Sequence, residues 1–212
     1  MNSSQTREPV IFLAAISLFL LFSGIDPVAD RYTWFLETVP VMIGIAILVP
    51  TYRDFRLTPL LYRLLALHAL ILMIGGHYTY AEVPLFNWLR DAFELSRNHY
   101  DRIGHLAQGF IPAILAREIL LRRSPLEPGK WLFLVVTSIC LAFSAFYEMI
   151  EWWAALVSEQ AAEAFLGTQG DHWDTQWDMF LALVGAITSQ LLLAGYHDHQ
   201  LKTLSQQAHK AT

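Results

Sequence analysis

The chain has 212 residues, of which 55% are hydrophobic and only 16% are charged, and its formal net charge is −5. A soluble domain of this size has about 25% charged residues, so the composition excludes an ordinary soluble domain and favours a membrane protein. No basic surface suited to nucleic acid is indicated, and the single cysteine, Cys140, excludes a disulfide within the chain. We therefore expect membrane lipid as a partner and no nucleic acid, while nothing indicates a protein partner.

Long apolar runs predict an all-α fold, a polytopic membrane bundle of about six transmembrane helices forming a single domain over residues 1–212. A helix needs about 20 mostly apolar residues to cross a hydrocarbon core about 30 Å thick. The first run has some features of a signal peptide, but it lacks a good cleavage site, and we interpret it as an uncleaved helix. The predicted spans are residues 9–25, 34–51, 59–76, 100–121, 131–154 and 176–196.

The distribution of Lys and Arg predicts the orientation of this bundle. Ten of the 14 Lys and Arg residues lie on one predicted side and four on the other. Positive residues are enriched in cytoplasmic connections. We therefore expect a protein of the bacterial inner membrane that crosses it several times, with both termini in the cytoplasm. The outward connections are then residues 26–33, 77–99 and 155–175, and residues 83–93 predict a short helix lying on the outer surface. The polar tail after Tyr196, including His197, is expected to be a frayed, solvated helix end.

Ionisable side chains lie at the predicted outer ends of the last four spans. Within each span they are three or four residues apart, so they share one helical face. Charged groups in a membrane usually face the interior of the bundle, and these faces are therefore predicted to converge. The residues are His77, Asp101, His105, Glu148, Glu151, Asp174 and Asp178.

Carboxylates this close together need compensation for their charge. A divalent metal ion is one solution: oxygen ligands suit Mg²⁺, Mn²⁺ or Ca²⁺, and imidazole admits Zn²⁺. Pairing with arginines and protonation of some carboxyls are the other two solutions. All seven residues are thus candidate metal ligands. The candidate catalytic residues among them are Asp101, His105, Glu148 and Asp178, and the candidate substrate-binding residues are Arg97, Arg102 and Tyr78.

Four segments carry a resemblance to a known family. They are HYTYAEVP at 77–84, NHYDRIGH at 98–105, YEMIEW at 147–152 and GDHWDTQWDM at 170–179, and with them the chain resembles the YjdF-type family of bacterial inner-membrane proteins. A looser likeness to VanZ-like membrane proteins rests on Asp101, His105, Glu148, Asp174 and Asp178. Asp178 stands where Asn is usual in that pattern, which makes this site more acidic. The likeness implies a shared architecture and supplies no activity.

Three functions are compatible with these patterns. The first is a metal-dependent membrane enzyme acting on a lipid-linked or envelope substrate from the outer face. The second is a proton- or cation-coupled transporter, which requires polar residues in the cytoplasmic half as well, where the sequence offers few. The third is a non-catalytic membrane subunit whose acidic cluster rigidifies the bundle or docks a partner.

Overall fold

A computed structural model describes residues 3–157 and 168–209. The described residues form helices and no strands, which confirms the all-α fold class. The helices are α1 (Ser3–Ser23), α2 (Arg31–Thr51), α3 (Pro59–Tyr78), α4 (Pro84–Ala92), α5 (Tyr100–Arg123), α6 (Lys130–Val157) and α7 (Asp174–His209). Residues 158–167, which belong to the predicted connection 155–175, lie outside the described residues.

Every predicted span falls largely on one of these helices, and α4 matches the short helix predicted at 83–93. Four of the described helices, α2, α3, α6 and α7, are long and apolar enough to cross a membrane. The helices α1 and α5 are not among the four, and in α5 the cause is its many ionisable residues. The largest difference between the predicted and the observed helices concerns α7, which continues to His209 instead of fraying after Tyr196.

Polar caps fix the starts of α2 and α3. The Asp30 carboxylate accepts hydrogen bonds from the backbone N–H groups of Tyr32 and Thr33 at 2.8 and 3.0 Å, as an N-cap residue does. Burial acts to raise the pKa of Asp30, but the hydrogen bonds from Thr33 and Tyr32 together outweigh it, so the pKa of this carboxyl lies below its ordinary value. Thr58 caps α3, and Pro59 follows at the first helical position, where a missing N–H costs nothing.

The central contact of the fold is between α5 and α7. α6 lies against both helices, and α3 connects α1 and α2 to α5. The backbones of α5 and α7 approach most closely at two glycines. A Cβ atom at Gly109 would overlap the Ala182 backbone, and one at Gly185 would overlap the Leu106 backbone. Because the middle of this interface is closed by backbone contact, the ionisable residues of α5 and α7 lie towards the two ends of their contact.

Candidate functional site

Acidic side chains from four helices meet around the start of α5. On α5 itself, Asp101 and His105 are one turn apart and share a face, which turns both towards α6 and α7. All but one of the acidic side chains are buried; the exception is half-buried Asp171. We call the group the carboxylate cluster. Its acidic members are Glu37, Asp101, Glu148, Glu151, Asp171, Asp174 and Asp178, and its basic members are Arg97, Arg102 and His105.

Two arginines hold the aspartates of the cluster. Arg97 donates to Asp174 Oδ1 at 2.5 Å and to Asp101 Oδ2 at 3.2 Å. Arg102 donates to Asp174 Oδ1 and to Asp178 Oδ1, each at 2.8 Å, and to Asp171 Oδ2 at 2.9 Å. Charge-assisted bonds of this kind are the strong ones, and they tie the start of α5 to the start of α7.

The ring of His105 faces acceptors on both sides. Its Nε2 lies 3.3 Å from Asp101 Oδ1 and 3.9 Å from Asp178 Oδ2. Its Nδ1 lies 2.9 Å from Gln108 Oε1 and 3.8 Å from Glu148 Oε1. A neutral imidazole has one hydrogen and can donate to only one acceptor. Because acceptors face both nitrogens of His105, these surroundings call for a second proton or a metal ion at the ring.

Three glutamates complete the cluster on the side of α2 and α6. Within residues 3–157 and 168–209, no Lys or Arg pairs with Glu37, Glu148 or Glu151, although each is at least 93% buried. Glu37 accepts a hydrogen bond from the Tyr147 hydroxyl at 3.3 Å. Glu148 Oε1 is buried without a hydrogen-bond partner, as is the Ser144 hydroxyl one turn away on α6. Buried charge of this kind is costly unless a cation or protons compensate it.

Two sets of three side chains within the cluster have the geometry to hold a metal ion. One set is Asp101, His105 and Asp178, and the other is His105, Glu148 and Glu151. In each set the potential ligand atoms all lie within 4.8 Å of one another. Carboxylate oxygens with one imidazole suit Mn²⁺ or Zn²⁺, and the oxygens also suit Mg²⁺ or Ca²⁺. His105 belongs to both sets and is therefore the residue on which a bound ion depends most.

The comparisons with known proteins place the chain in a family. The model of a family described as predicted membrane protein (DUF2238) matches residues 8–199. The inner membrane protein YjdF of Escherichia coli (strain K12) is 48% identical over 202 residues, which cover 94% of this chain and 96% of that protein. The chain belongs to the YjdF family. No solved structure matches it.

Membership of the YjdF family confirms the resemblance drawn from the four sequence segments. Together with the four apolar helices of the described residues, it also confirms the prediction of an inner-membrane protein that crosses the bilayer several times. The likeness to VanZ-like proteins, which rested on Asp101, His105, Glu148, Asp174 and Asp178, stays a prediction.

In this member of the YjdF family, the structure brings together most of the predicted site residues. The predicted ligands that meet are Asp101, His105, Glu148, Glu151, Asp174 and Asp178. Arg97 and Arg102 meet them as well, as partners of the aspartates. Their proposed contact with a substrate phosphate stays a prediction.

His77 and Tyr78 are placed outside the carboxylate cluster. His77 Nδ1 lies 2.8 Å from the backbone oxygen of Ser23, where it connects the end of α3 to the end of α1. Tyr78 packs beside the apolar cluster around Tyr80. Neither belongs to the two sets of potential metal ligands within the described residues. His99, just before α5, is partly buried, and this burial together with the charges of Arg97 and Arg102 lowers its pKa.

Glu37 is a site residue that sequence reasoning missed. It lies within the predicted span 34–51, and an ionisable residue inside an apolar span is a functional candidate by default. That signal was available in the sequence, but Glu37 lies in an early span without an acidic or imidazole neighbour at helical spacing, so the pattern of stripes did not include it.

A second buried polar group, also unpredicted, lies at the far end of α5. His197, expected to be solvated, is fully buried. Its Nδ1 accepts from Arg117 Nη1 at 2.9 Å, so Nε2 carries the hydrogen and donates to Glu118 Oε2 at 3.0 Å. Arg117 also pairs with Asp198 at 2.7 Å. We call this group the His197 cluster; its members are Thr58, Arg117, Glu118, Arg122, His197 and Asp198.

Proposed function

We propose that the chain crosses the inner membrane six times, with both termini in the cytoplasm and the carboxylate cluster at the outer face. α5 has 24 residues, which span about 36 Å at 1.5 Å per residue and exceed a hydrocarbon core of about 30 Å. Asp101 and Arg102 at its start and Arg117, Glu118 and Arg122 at its end are paired within the protein, which lowers the cost of placing their charges in a membrane. The excess of Lys and Arg in alternate connections supports the orientation.

Labelling of introduced cysteines tests this topology. In a Cys140→Ser background, a cysteine at Arg90 on α4 reacts with an impermeant maleimide in intact spheroplasts, and a cysteine at Gln207 on α7 reacts only after permeabilisation. The reverse pattern would invert the bundle, and labelling of both positions in intact spheroplasts would contradict the three crossings by α5, α6 and α7 that the proposal places between them.

We further propose that the protein is a divalent-cation-dependent membrane enzyme. The observation that carries the proposal is a buried group of three glutamates, Glu37, Glu148 and Glu151, whose one basic neighbour within the described residues is His105. A cation held between His105 and these carboxylates supplies the missing charge and gives Glu148 Oε1 a partner.

The chemistry at such a centre follows from the ligands around it. A bound divalent ion acts as a Lewis acid and lowers the pKa of a water that it binds. Asp101, His105 and Asp178, or His105, Glu148 and Glu151, would hold the ion, and a carboxylate of the cluster outside the ligand set would be available as a general base. In the proposed topology the cluster lies at the outer boundary between lipid and water, which favours a lipid-linked or envelope substrate.

One feature of the structure supports the transporter function and another opposes it. The His197 cluster supplies the buried polar residues that a pathway needs near the second face, which the sequence did not reveal. Between the two clusters, however, α5 and α7 are in backbone contact at Gly109 and Gly185, and Ala113, Ala182 and Ala186 are fully buried. This close backbone contact separates the two clusters along α5 and α7, so the packing favours two separate sites.

A non-catalytic subunit is the second candidate function, and the arginine pairs favour it. Arg97 and Arg102 connect the start of α5 to Asp171, Asp174 and Asp178 and would rigidify the bundle without any ion. These pairs account for the aspartates, but they leave the three glutamates uncompensated.

Thermal unfolding with and without cations separates the two functions. Detergent-purified protein is stripped with EDTA and titrated with Mg²⁺, Mn²⁺, Ca²⁺ or Zn²⁺. We expect the wild type to gain stability with one of these ions and Glu148→Gln and Asp178→Asn to lose most of that gain. Asp198→Asn, which neutralises a carboxylate of the His197 cluster, should keep it. Equal behaviour of all four proteins would favour the subunit.

A further inference from the structure

The two ring nitrogens of His105 face two different groups of side chains. Nε2 faces the aspartates and lies 3.3 Å from Asp101 Oδ1 and 3.9 Å from Asp178 Oδ2. Nδ1 lies 2.9 Å from Gln108 Oε1 and 3.8 Å from Glu148 Oε1. The two sets of potential metal ligands share His105 but lie on opposite sides of its ring. The nitrogen that binds an ion therefore decides which set is used.

The aspartate side of the ring already has two positive partners. Arg97 donates to Asp101 Oδ2 at 3.2 Å, and Arg102 donates to Asp178 Oδ1 at 2.8 Å. A divalent ion between these aspartates would place two further positive charges beside both guanidinium groups, and like charges this close repel strongly where water is excluded. In the part of the chain that the structure describes, neither aspartate has a buried oxygen without a hydrogen-bond partner.

The glutamate side of the ring lacks such a partner. Among the described residues, no Lys or Arg pairs with Glu148 or Glu151, and each of the two is only 7% exposed. Glu148 Oε1, at 3.8 Å from Nδ1 of His105, is buried without a hydrogen-bond partner, and so is the Ser144 hydroxyl one turn away on α6. Buried oxygens of this kind normally have a partner, and a cation would provide one.

The hydrogen on the ring of His105 belongs on Nε2. Asp101 Oδ1 is the acceptor there, and Arg97 in turn holds Asp101. A histidine that binds a metal ion donates its other ring N–H to a carboxylate in most metal sites, which fixes the tautomer and the orientation of the ring. Nδ1 then directs a lone pair at Gln108 Oε1, and two acceptors 2.9 Å apart require a positive species between them.

The spacing of atoms around Nδ1 suits a metal ion. Neighbouring ligands of an octahedral ion, each at about 2.1 Å from it, are about 3.0 Å apart, and Nδ1 and Gln108 Oε1 are 2.9 Å apart. The ligand atoms of His105, Glu148 and Glu151 all lie within 4.8 Å of one another. Carboxylate and amide oxygens with one imidazole nitrogen are a ligand set that Mn²⁺ accepts.

We propose that the divalent ion binds at Nδ1 of His105 and not at Nε2. Its other ligands are the side-chain oxygens of Gln108, Glu148 and Glu151. This ligand set depends on the proposed function, which left two sets open, and it adds Gln108, which neither set contains. Asp178, on the Nε2 side, attracts the ion by its charge, so Asp178→Asn weakens binding without removing a ligand.

Two substitutions at position 105 distinguish the two nitrogens. The side-chain amide of Asn reaches the place of Nδ1, so His105→Asn keeps an oxygen ligand on the glutamate side. The longer side chain of Gln reaches the place of Nε2, so His105→Gln keeps one on the aspartate side. His197→Gln, in the His197 cluster, is the matched control. The EPR signal of free Mn²⁺ measures binding to the full-length protein in detergent, and electron spin-echo modulation detects a bound ring nitrogen.

We expect about one Mn²⁺ per chain in the wild type, with nitrogen modulation, and the same Kd in His197→Gln. His105→Asn should bind within about tenfold of the wild-type Kd and without the modulation, and His105→Gln should bind about 100-fold more weakly. Gln108→Leu should weaken binding about tenfold, whereas Gln108→Glu, which keeps the oxygen, should bind as the wild type does or more tightly.

The opposite order of the two position-105 variants would place the ion among the aspartates and overturn this ligand set while leaving the proposed function intact. Equal affinities of these two variants, or unchanged affinity in Gln108→Leu, also overturn the ligand set. So does a wild type that binds no Mn²⁺, and a wild type that binds none of the four ions of the thermal assay removes the proposed function as well. If His105→Asn does not fold, Gln108→Leu alone decides.

Discussion

The two ends of α5 carry buried polar clusters that differ in their balance of charge. The carboxylate cluster sets seven carboxyl groups against two guanidinium groups and one imidazole. The His197 cluster sets Glu118 and Asp198 against Arg117 and Arg122, with a neutral imidazole between them. The balanced cluster is complete as it stands, whereas the other requires a further positive species.

The two buried histidines show the same difference atom by atom. His197 lies between a donor, Arg117, and an acceptor, Glu118, which fixes one hydrogen on its ring. His105 has acceptors at both nitrogens. A histidine between a donor and an acceptor is satisfied by the protein alone, and a histidine between acceptors is a candidate ligand. Burial alone therefore does not distinguish the two histidines, but the hydrogen-bonding groups around their rings do.

The largest effect is expected from breaking the balanced cluster. Glu118→Ala leaves Arg122, the Arg117–His197 pair and the Thr58 N–H without their shared acceptor, because Glu118 accepts from Thr58 at 3.1 Å and from Arg122 at 2.7 Å. Removal of one partner from a buried ionic group costs about 3–5 kcal/mol. Denaturant unfolding in detergent measures this loss. A cost below about 1 kcal/mol would show that water reaches this cluster.

A bound cation should stabilise the carboxylate cluster, at the opposite end of α5, by a similar amount. At a concentration 100 times its Kd, a ligand that binds only the folded state adds about 2.7 kcal/mol to the free energy of unfolding. Glu148→Gln should lose this gain and should be no less stable than the wild type in EDTA, because it removes one of the crowded charges. If Glu148→Gln is strongly destabilised in EDTA, the cluster is compensated without an ion.

The closed segment between the clusters gives the third prediction. Gly109→Ala forces α5 away from the Ala182 backbone and should cost about 1–3 kcal/mol, as overpacking of a core does. Gly44→Ala, where the added Cβ meets no atom, serves as control and should gain up to about 1 kcal/mol from helix propensity. Equal effects in denaturant unfolding would contradict the close approach of α5 and α7.

Asp30 provides the smallest effect and a reference carboxylate that needs no cation. Asp30→Ala removes the N-cap of α2 and should cost about 1 kcal/mol at neutral pH. Because hydrogen bonds in the folded state lower the pKa of Asp30, its contribution is complete above the ordinary aspartate pKa and is lost as the pH falls through the lowered value. The stabilities of variant and wild type should converge in acid, and a constant difference would exclude a role for the ionised carboxylate.

Helical periodicity was sufficient to predict much of the carboxylate cluster. Asp101 and His105, four residues apart at the start of a span, had to share a face, and the cost of exposing charge to lipid turned that face inward. The same reasoning placed Glu148 on α6 and Asp178 on α7 at the same level. These predictions need only local geometry and the membrane as solvent.

The His197 cluster could not be predicted in this way. It joins Glu118 to His197, which are 79 residues apart, and His197 lies in a polar tail that resembles an ordinary solvated helix end. Burial of His197 depends on α7 continuing beyond the apolar run, where Gln200 Oε1 accepts from the Leu60 N–H at 2.8 Å. Such a contact is a property of the tertiary structure and leaves no periodic signal in the sequence.

Metal content is the most direct test of the difference between the clusters. Elemental analysis of the protein purified without chelator should find about one divalent ion per chain in the wild type and in His197→Gln, and none in His105→Gln. A wild type without bound metal, or equal metal in the two variants, would contradict the account that the carboxylate cluster is a cation site.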